Sequence, residues 1–265
     1  MNENFSKVSL AFSKQSIVFD DLCKENKLSE YLRSNFRNEV IEQSKPGSSI
    51  LELNCGTGMD AVFFSGKNRY ILATDNAPGM INQLNKKVDD LNLHEKIKTL
   101  HCSFHDIHTI QDKFDHIISN FGGLNCTDHL DKVLLQFSPL LNAGGKVTLM
   151  VMPKICPWEL VMLFKGKFAT AFRRFKKETP AHIEGVKFNC YYYNPNYITR
   201  NLKKEFNLLT LKGVFITVPP EFYLNFVERY PKLFKTLSKI DSAICKFFPF
   251  TYCCDHYLIT LQKKA

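Results

Sequence analysis

Ser49-Ile50-Leu51-Glu52-Leu53-Asn54-Cys55-Gly56-Thr57-Gly58 is the stretch on which the reading of this chain turns. It opens as a short apolar run just after Pro46-Gly47 and ends in a glycine turn, the pattern of a strand buried in a parallel sheet. Gly56 and Gly58 allow the backbone to turn sharply and to approach a ligand where any Cβ would collide. Asn54 stands where a third glycine would be convenient, and asparagine tolerates positive φ better than most residues. Asp75 ends the next apolar run, Tyr70 to Asp75, 17 residues after Gly58. That is close to the spacing of about 20 residues at which an acid reaches ribose hydroxyls in doubly wound folds. One carboxylate can accept from both hydroxyls at once.

Outward from this stretch, strands and helices alternate. Leu28, Tyr31, Leu32, Phe36, Val40 and Ile41 fall at helical spacing before it, and Pro78 opens a helix through Met80, Ile81, Leu84, Val88 and Leu91 after it. Ile97 to Cys102 and Phe114 to Ser119 read as further strands. A helix is expected through Leu130, Val133, Leu134, Phe137 and Leu141, then a Gly144-Gly145 turn and a strand from Lys146 to Met152. Past Pro153 the rhythm changes: Trp158 to Phe164 and Phe168 to Phe175 read as helices broken near Gly166. Ile198 to Phe206 (helix), Leu208 to Val218 (strand), a helical stretch over 221–247 and a last strand from Tyr257 to Leu261 complete the pattern. The expected fold is α/β: a doubly wound, Rossmann-like, mostly parallel seven-stranded sheet with helices on both faces and helical cap insertions.

The chain of 265 residues, 45% hydrophobic and 23% charged, has the balance of a globular protein with a large core. No apolar run has the length to cross a bilayer, and Met1-Asn2-Glu3-Asn4 does not begin a secretion signal, so a cytoplasmic location is the expectation. The nine cysteines show no CxxC spacing; reduced thiols and no metal are expected. Charge is divided unevenly, with 19 Lys/Arg against 8 Asp/Glu from residue 151 onward and 16 against 18 before it. An anionic substrate, a membrane surface or a nucleic acid would each suit the basic half, as would solvated lysine faces.

Leu51-Glu52-Leu53-Asn54-Cys55-Gly56-Thr57-Gly58 resembles the E-x-G-x-G-x-G loop of the class I S-adenosylmethionine-dependent methyltransferases, particularly small-molecule enzymes similar to those that methylate quinones and phenols. Thr74-Asp75-Asn76-Ala77-Pro78-Gly79-Met80 is similar to that family's second motif, which implies Asp75 on the ribose and Asn76 and Met80 near adenine. Cys102-Ser103-Phe104-His105-Asp106-Ile107 resembles the third motif, with Ser103 or Phe104 where the family often has an acid, so that backbone amides would meet the adenine amino group. Ser119-Asn120-Phe121-Gly122-Gly123-Leu124-Asn125 resembles the fourth, which would set Asn120 and Phe121 beside the transferring methyl. Phe12 to Asp20 resembles the N-terminal lid, with Phe19 where tyrosine is usual. The resemblance implies S-adenosylmethionine as cofactor and S-adenosylhomocysteine as product. It implies one domain over 1–265: a helical lid (1–45), a cofactor-binding core (46–153), cap insertions (154–194 and 219–250) and closing helix and strands (195–218 and 251–265).

Two other classes fit part of the pattern. Gly56-Thr57-Gly58-Met59-Asp60-Ala61 also has the G-x-G-x-x-A form of a nicotinamide or flavin site. Glu52 counts against that reading, being poorly placed beside a pyrophosphate but suited to organise a cationic sulfonium and its amino-acid moiety. A non-catalytic nucleotide- or RNA-binding module is the third reading, and no RNA-reading motif accompanies it. The run from Ser119 lacks the Pro-Pro-aromatic sequence of enzymes that methylate DNA bases, which counts against nucleic acid; the resemblance implies instead a hydrophobic small acceptor, aromatic ones included, methylated on O, N or C. Methyl transfer from a sulfonium needs a base only when the acceptor carries a proton. His105, His129 and His182 are the candidate bases, and Tyr191, Tyr192 or Tyr193 would orient an acceptor; of these His129, His182 and Tyr192 are the leading catalytic candidates. Trp158 to Phe164 followed by Lys165, Lys167, Arg173, Arg174, Lys176 and Lys177 suits either a lid over such an acceptor or a peripheral contact with lipid headgroups, as it does a helix packed on the core.

Overall fold

The computed structural model describes residues 3–264. The first two residues of the expected lid and Ala265 lie outside them. Three helices lead in: α1 (Glu3–Gln15), α2 (Phe19–Glu25) and α3 (Lys27–Gln43). Asn26 caps α3, its side-chain oxygen accepting from the amides of Leu28 and Ser29. The core follows as β1 (Ser49–Leu53), α4 (Met59–Ser65), β2 (Tyr70–Asp75), α5 (Pro78–Asp90), β3 (Ile97–His101), β4 (Phe114–Ser119), α6 (Leu130–Leu134) and β5 (Leu141–Val151). Beyond it come α7 (Pro157–Leu160), α8 (Phe168–Ala171), β6 (Thr179–Ile183), β7 (Val186–Cys190), α9 (Pro195–Leu202), β8 (Phe206–Val214), α10 (Phe226–Arg229), α11 (Pro231–Ile244) and β9 (His256–Lys263).

Seven strands form one sheet in the order β3-β2-β1-β4-β5-β9-β8. β1 to β5 pair in parallel, and β9 runs antiparallel between β5 and β8. Strand order reverses between β1 and β4, which opens a crevice at their carboxyl ends, the place where such sheets hold ligands. Residue alternation along β1 divides the core. Ile50 joins one face with Phe36 and Val40 of α3, Phe64 of α4 and Leu84 of α5, while Leu51 and Leu53 join the other with Val133 of α6 and Ile198 of α9.

Three expectations need correction. The helix through Leu141 ends at Leu134; Leu141 already belongs to β5 and pairs with Phe114 across a register shift. The helix expected to reach Phe206 stops at Leu202, and Phe206 opens β8. The insertion over 154–194 is not wholly helical. Its helical parts are single turns, and β6 and β7 form an antiparallel hairpin around Glu184-Gly185, both at positive φ.

Candidate active site

A cavity of about 230 Å³ lies at the carboxyl ends of β1, β2 and β4, under α1. Asn54, Gly56, Asp75, Asn76, Met80, Phe104, Asn120, Phe121 and Phe19 line it, so nine of the thirteen expected cofactor residues meet on one wall. Asp75 is fixed by the backbone around it: Oδ2 accepts from the Gly56 amide at 2.9 Å and Oδ1 from the Ala77 amide at 2.8 Å. Each carboxylate oxygen has two acceptor sites, so both keep one for a ligand hydroxyl. Burial raises the Asp75 pKa, and the amide bonds oppose that shift.

Gly56 has φ +56°, and the nearest atom to a Cβ placed there would be Cε1 of Phe19 at 3.9 Å. The loop is therefore open toward the cavity at this residue. Asn54 adopts the positive φ its type allows, +46°. Its Oδ1 accepts from Ser119 Oγ at 2.6 Å and its Nδ2 donates to the Asn120 carbonyl at 3.1 Å, which locks the tip of β1 to the tip of β4. Phe121, also at positive φ (+53°), continues that second tip into the cavity wall. The lid is tied down by Asp20, which accepts from Thr57 Oγ1 at 2.5 Å and pairs with Lys87 of α5. Ser9 of α1 donates to the Asn76 carbonyl at 2.7 Å.

Four of the expected cofactor residues face elsewhere. Glu52 points with Ile50 toward the α3 and α4 face, as alternation along β1 requires, and is absent from the cavity wall. It is 3% exposed, and burial, then the charge of Asp60, raises its pKa well above the usual carboxylate range. Asp60 beside it accepts from Arg33 at 2.9 Å, from Arg37 at 2.7 Å and from Asn120 at 2.8 Å. Burial alone would raise the Asp60 pKa; the two guanidinium groups outweigh it and hold the carboxylate ionised. Gly58 makes room for the protein rather than a ligand, since a Cβ there would sit 2.1 Å from Cδ1 of Leu84 in α5. Cys55 is buried behind the loop, its amide donating to the Thr74 carbonyl. Ser103 turns away, its Oγ accepting from the His105 amide.

None of the candidate bases reaches this cavity. His182 is exposed on β6, and His129 stands at the start of α6 with a ring nitrogen 3.8 Å from Asp128. Tyr192 is buried under the Arg174 guanidinium, 4.9 Å from its ring centre, and burial pushes its pKa up to about 12. His105 bonds Thr127 Oγ1 and packs edgewise on Phe5. Tyr193 donates to the Thr127 carbonyl, and Tyr191 lies outside the wall. Missing from the expected set are Val8, Ser9, Phe12, Ala77, Cys102, Gly123 and Cys126, all on the wall. Each but Val8 and Ser9 lies within or next to a motif quoted above, so the signal was position in the motif rather than residue type.

A second cavity of about 400 Å³ lies between α2, the start of α3 and residues 221–228, and it shares Phe19 and Phe121 with the first. Glu221 lines it, accepting from Ser29 Oγ. Burial raises the Glu221 pKa. No sequence signal marks this cavity, because its walls lie about 195 residues apart in the chain, as Asn26 and Glu221 do.

A family model described as a methyltransferase domain matches residues 50–145, the span from β1 into β5 that carries the glycine loop and Asp75. No curated protein matches the sequence. In fold the chain is similar to a Listeria monocytogenes structure assigned as an S-adenosylmethionine-dependent methyltransferase, at 14% identity and TM-score 0.61 over 88% of this chain and 99% of that one. It is similar to the 1,6-didemethyltoxoflavin-N1-methyltransferase of Burkholderia thailandensis, solved with S-adenosylhomocysteine, at 12% identity and TM-score 0.57 over 98% and 88%. It is also similar to the geranyl diphosphate C-methyltransferase of Streptomyces coelicolor A3(2), solved with the same product, at 14% identity and TM-score 0.57 over 88% and 79%. These likenesses speak for the fold; the family match over the loop favours methyl transfer over the nicotinamide reading of the glycine turn. Residues 50–145 thus match a methyltransferase domain, and the sheet around them has the fold of these structures.

Proposed function

We propose that the chain methylates an O, N or C atom of a hydrophobic small molecule, with the cofactor in the 230 Å³ cavity and the acceptor in the 400 Å³ cavity. The observation that carries this reading is the shared wall: Phe19 and Phe121 border both cavities, so the two are adjacent across these side chains. The cofactor supplies an electrophilic methyl on a sulfonium. What the chain supplies is alignment and exclusion of water. Asp75 takes the ribose hydroxyls, Met80 and Phe104 form apolar surface for the adenine, and Asn54 with Asn120 sets the depth of the pocket.

Glu52, away from the wall, acts in this reading through its neighbours, since Asp60, which shapes its field, holds Asn120 directly. An acceptor that carries a proton would deliver it to Glu221, whose raised pKa makes it a better base than an ordinary carboxylate.

Titration calorimetry tests the cofactor half. Asp75→Ala removes two hydrogen bonds to a charged group, each worth about 1.5–3 kcal/mol, and is expected to weaken S-adenosylmethionine binding by about 100-fold or more. Unchanged affinity in the folded variant, or NADH displacing the cofactor, would overturn the reading.

A further inference from the structure

Two surface segments outside both cavities are apolar and basic together. In the first insertion Phe164 is 92% exposed, Phe168 64%, Phe172 48% and Phe175 53%; in the second, Phe248 is 81% exposed and Phe247 63%, with Leu233 and Ile240 also open to solvent. Single exposed apolar side chains are ordinary, but a crowd of them on neighbouring segments marks an interaction surface. Residues 161–177 contain no acid, and residues 230–248 contain only Asp241. Asp241 is buried, its carboxylate accepting from the amides of Ile216 and Thr217. Eight lysines, at 165, 167, 176, 177, 232, 235, 239 and 246, are exposed among the apolar side chains.

The two segments leave the sheet at the same end. The first follows β5, and the second fills the connection from β8 to β9, which meet that end because β9 is antiparallel to both. They join through Trp158 and Tyr223, whose rings lie 5.5 Å apart, and through the Cys254 amide, which donates to the Ile155 carbonyl. This is the end that holds both cavities. The cluster of Cys156, Glu159 and Asp255 at the root of the first insertion is a separate matter: Arg173 and Arg174 already occupy its carboxylates.

We propose that this face docks on an anionic lipid bilayer. Phenylalanines on single helical turns can enter the headgroup region while lysines around them meet lipid phosphates, and charge and apolar area then act together. RNA suits the surface less well. The phenylalanine rings would serve a base as well as a lipid; what favours lipid is the aliphatic Leu233 and Ile240 beside them, and cations that are lysines rather than stacking guanidinium groups, Arg173 being held by Glu159. The proposal stands apart from the methyl-transfer reading, since it needs neither cofactor nor acceptor.

Cosedimentation of the full chain with vesicles tests it, using phosphatidylcholine alone and phosphatidylcholine mixed with phosphatidylglycerol, over a range of salt. The chain is expected to bind the mixed vesicles and to be released as salt rises. Phe164→Ser with Phe248→Ser should lower the partition coefficient by roughly tenfold or more, and Lys165→Glu with Lys167→Glu should lower it while flattening its salt dependence. Circular dichroism and S-adenosylmethionine binding report whether the variants remain folded. No binding to the mixed vesicles, binding untouched by both double substitutions, or tighter binding to single-stranded RNA than to vesicles would overturn the proposal.

Discussion

Asn54 stands where the methyltransferase loop that this stretch resembles has a glycine, and Gly123 explains how the chain accommodates it. A Cβ on Gly123 would fall 2.3 Å from Nδ2 of Asn54 and 2.4 Å from its Cγ, so the amide has taken space that a side chain at 123 would need. The two residues form one packing unit across the tips of β1 and β4. Gly123→Ala is expected to destabilise the chain by about 1–3 kcal/mol through overpacking, and Asn54→Gly in the same chain to restore most of the loss. Urea unfolding of the single and double variants measures the coupling, and simple additivity would contradict it. This relation was not legible in the sequence. Asn54 as tolerant of positive φ was readable there, because that follows from the residue's own chemistry, as was Asp75 as an acid at the end of its strand. The directions of Glu52 and Gly58 were not, because they depend on which helix packs on which face of β1.

Between elements, a buried chain of polar contacts crosses the sheet. His116 of β4 meets Thr148 of β5 at 2.8 Å, Thr148 meets Thr260 of β9 at 2.9 Å, Thr260 donates to Glu39 of α3 at 3.0 Å, and Lys212 of β8 donates to the same carboxylate at 2.6 Å. Burial lowers the His116 pKa from 6.5 to about 3. Between those values the unfolded chain takes up a proton that the folded chain refuses. The stabilisation from a neutral His116 is therefore fully present above pH 6.5 and is lost as pH falls toward about 3, at up to about 1.4 kcal/mol per pH unit. Unfolding measured against pH should show a shallower acid slope in His116→Gln than in the wild-type chain; parallel slopes would contradict the assignment. Element by element, the strands were legible as apolar runs between glycine and proline. The β6–β7 hairpin was not, since Thr179-Pro180-Ala181-His182 lacks the β-branched alternation of a strand and takes its shape from packing against α1.

At the scale of the whole molecule, the two cavities that share Phe19 and Phe121 and the apolar, basic rim lie at one end of the sheet. No helix among the described residues is long and apolar enough to cross a membrane. The sequence pointed to the first cavity because most of its residues sit in five local stretches, and to the basic half because charge is counted without a fold. It gave no view of the second cavity, whose walls meet only when α2 and the 221–228 segment come together. In the proposed function a nucleoside lies across the tips of β1 and β2 with its sugar on Asp75. A crystal of the chain grown with S-adenosylhomocysteine tests it most directly. Both ribose hydroxyls are expected on the Asp75 carboxylate and the adenine against Met80 and Phe104; a ligand bound anywhere else, with Asp75 left to its backbone amides, would overturn the assignment.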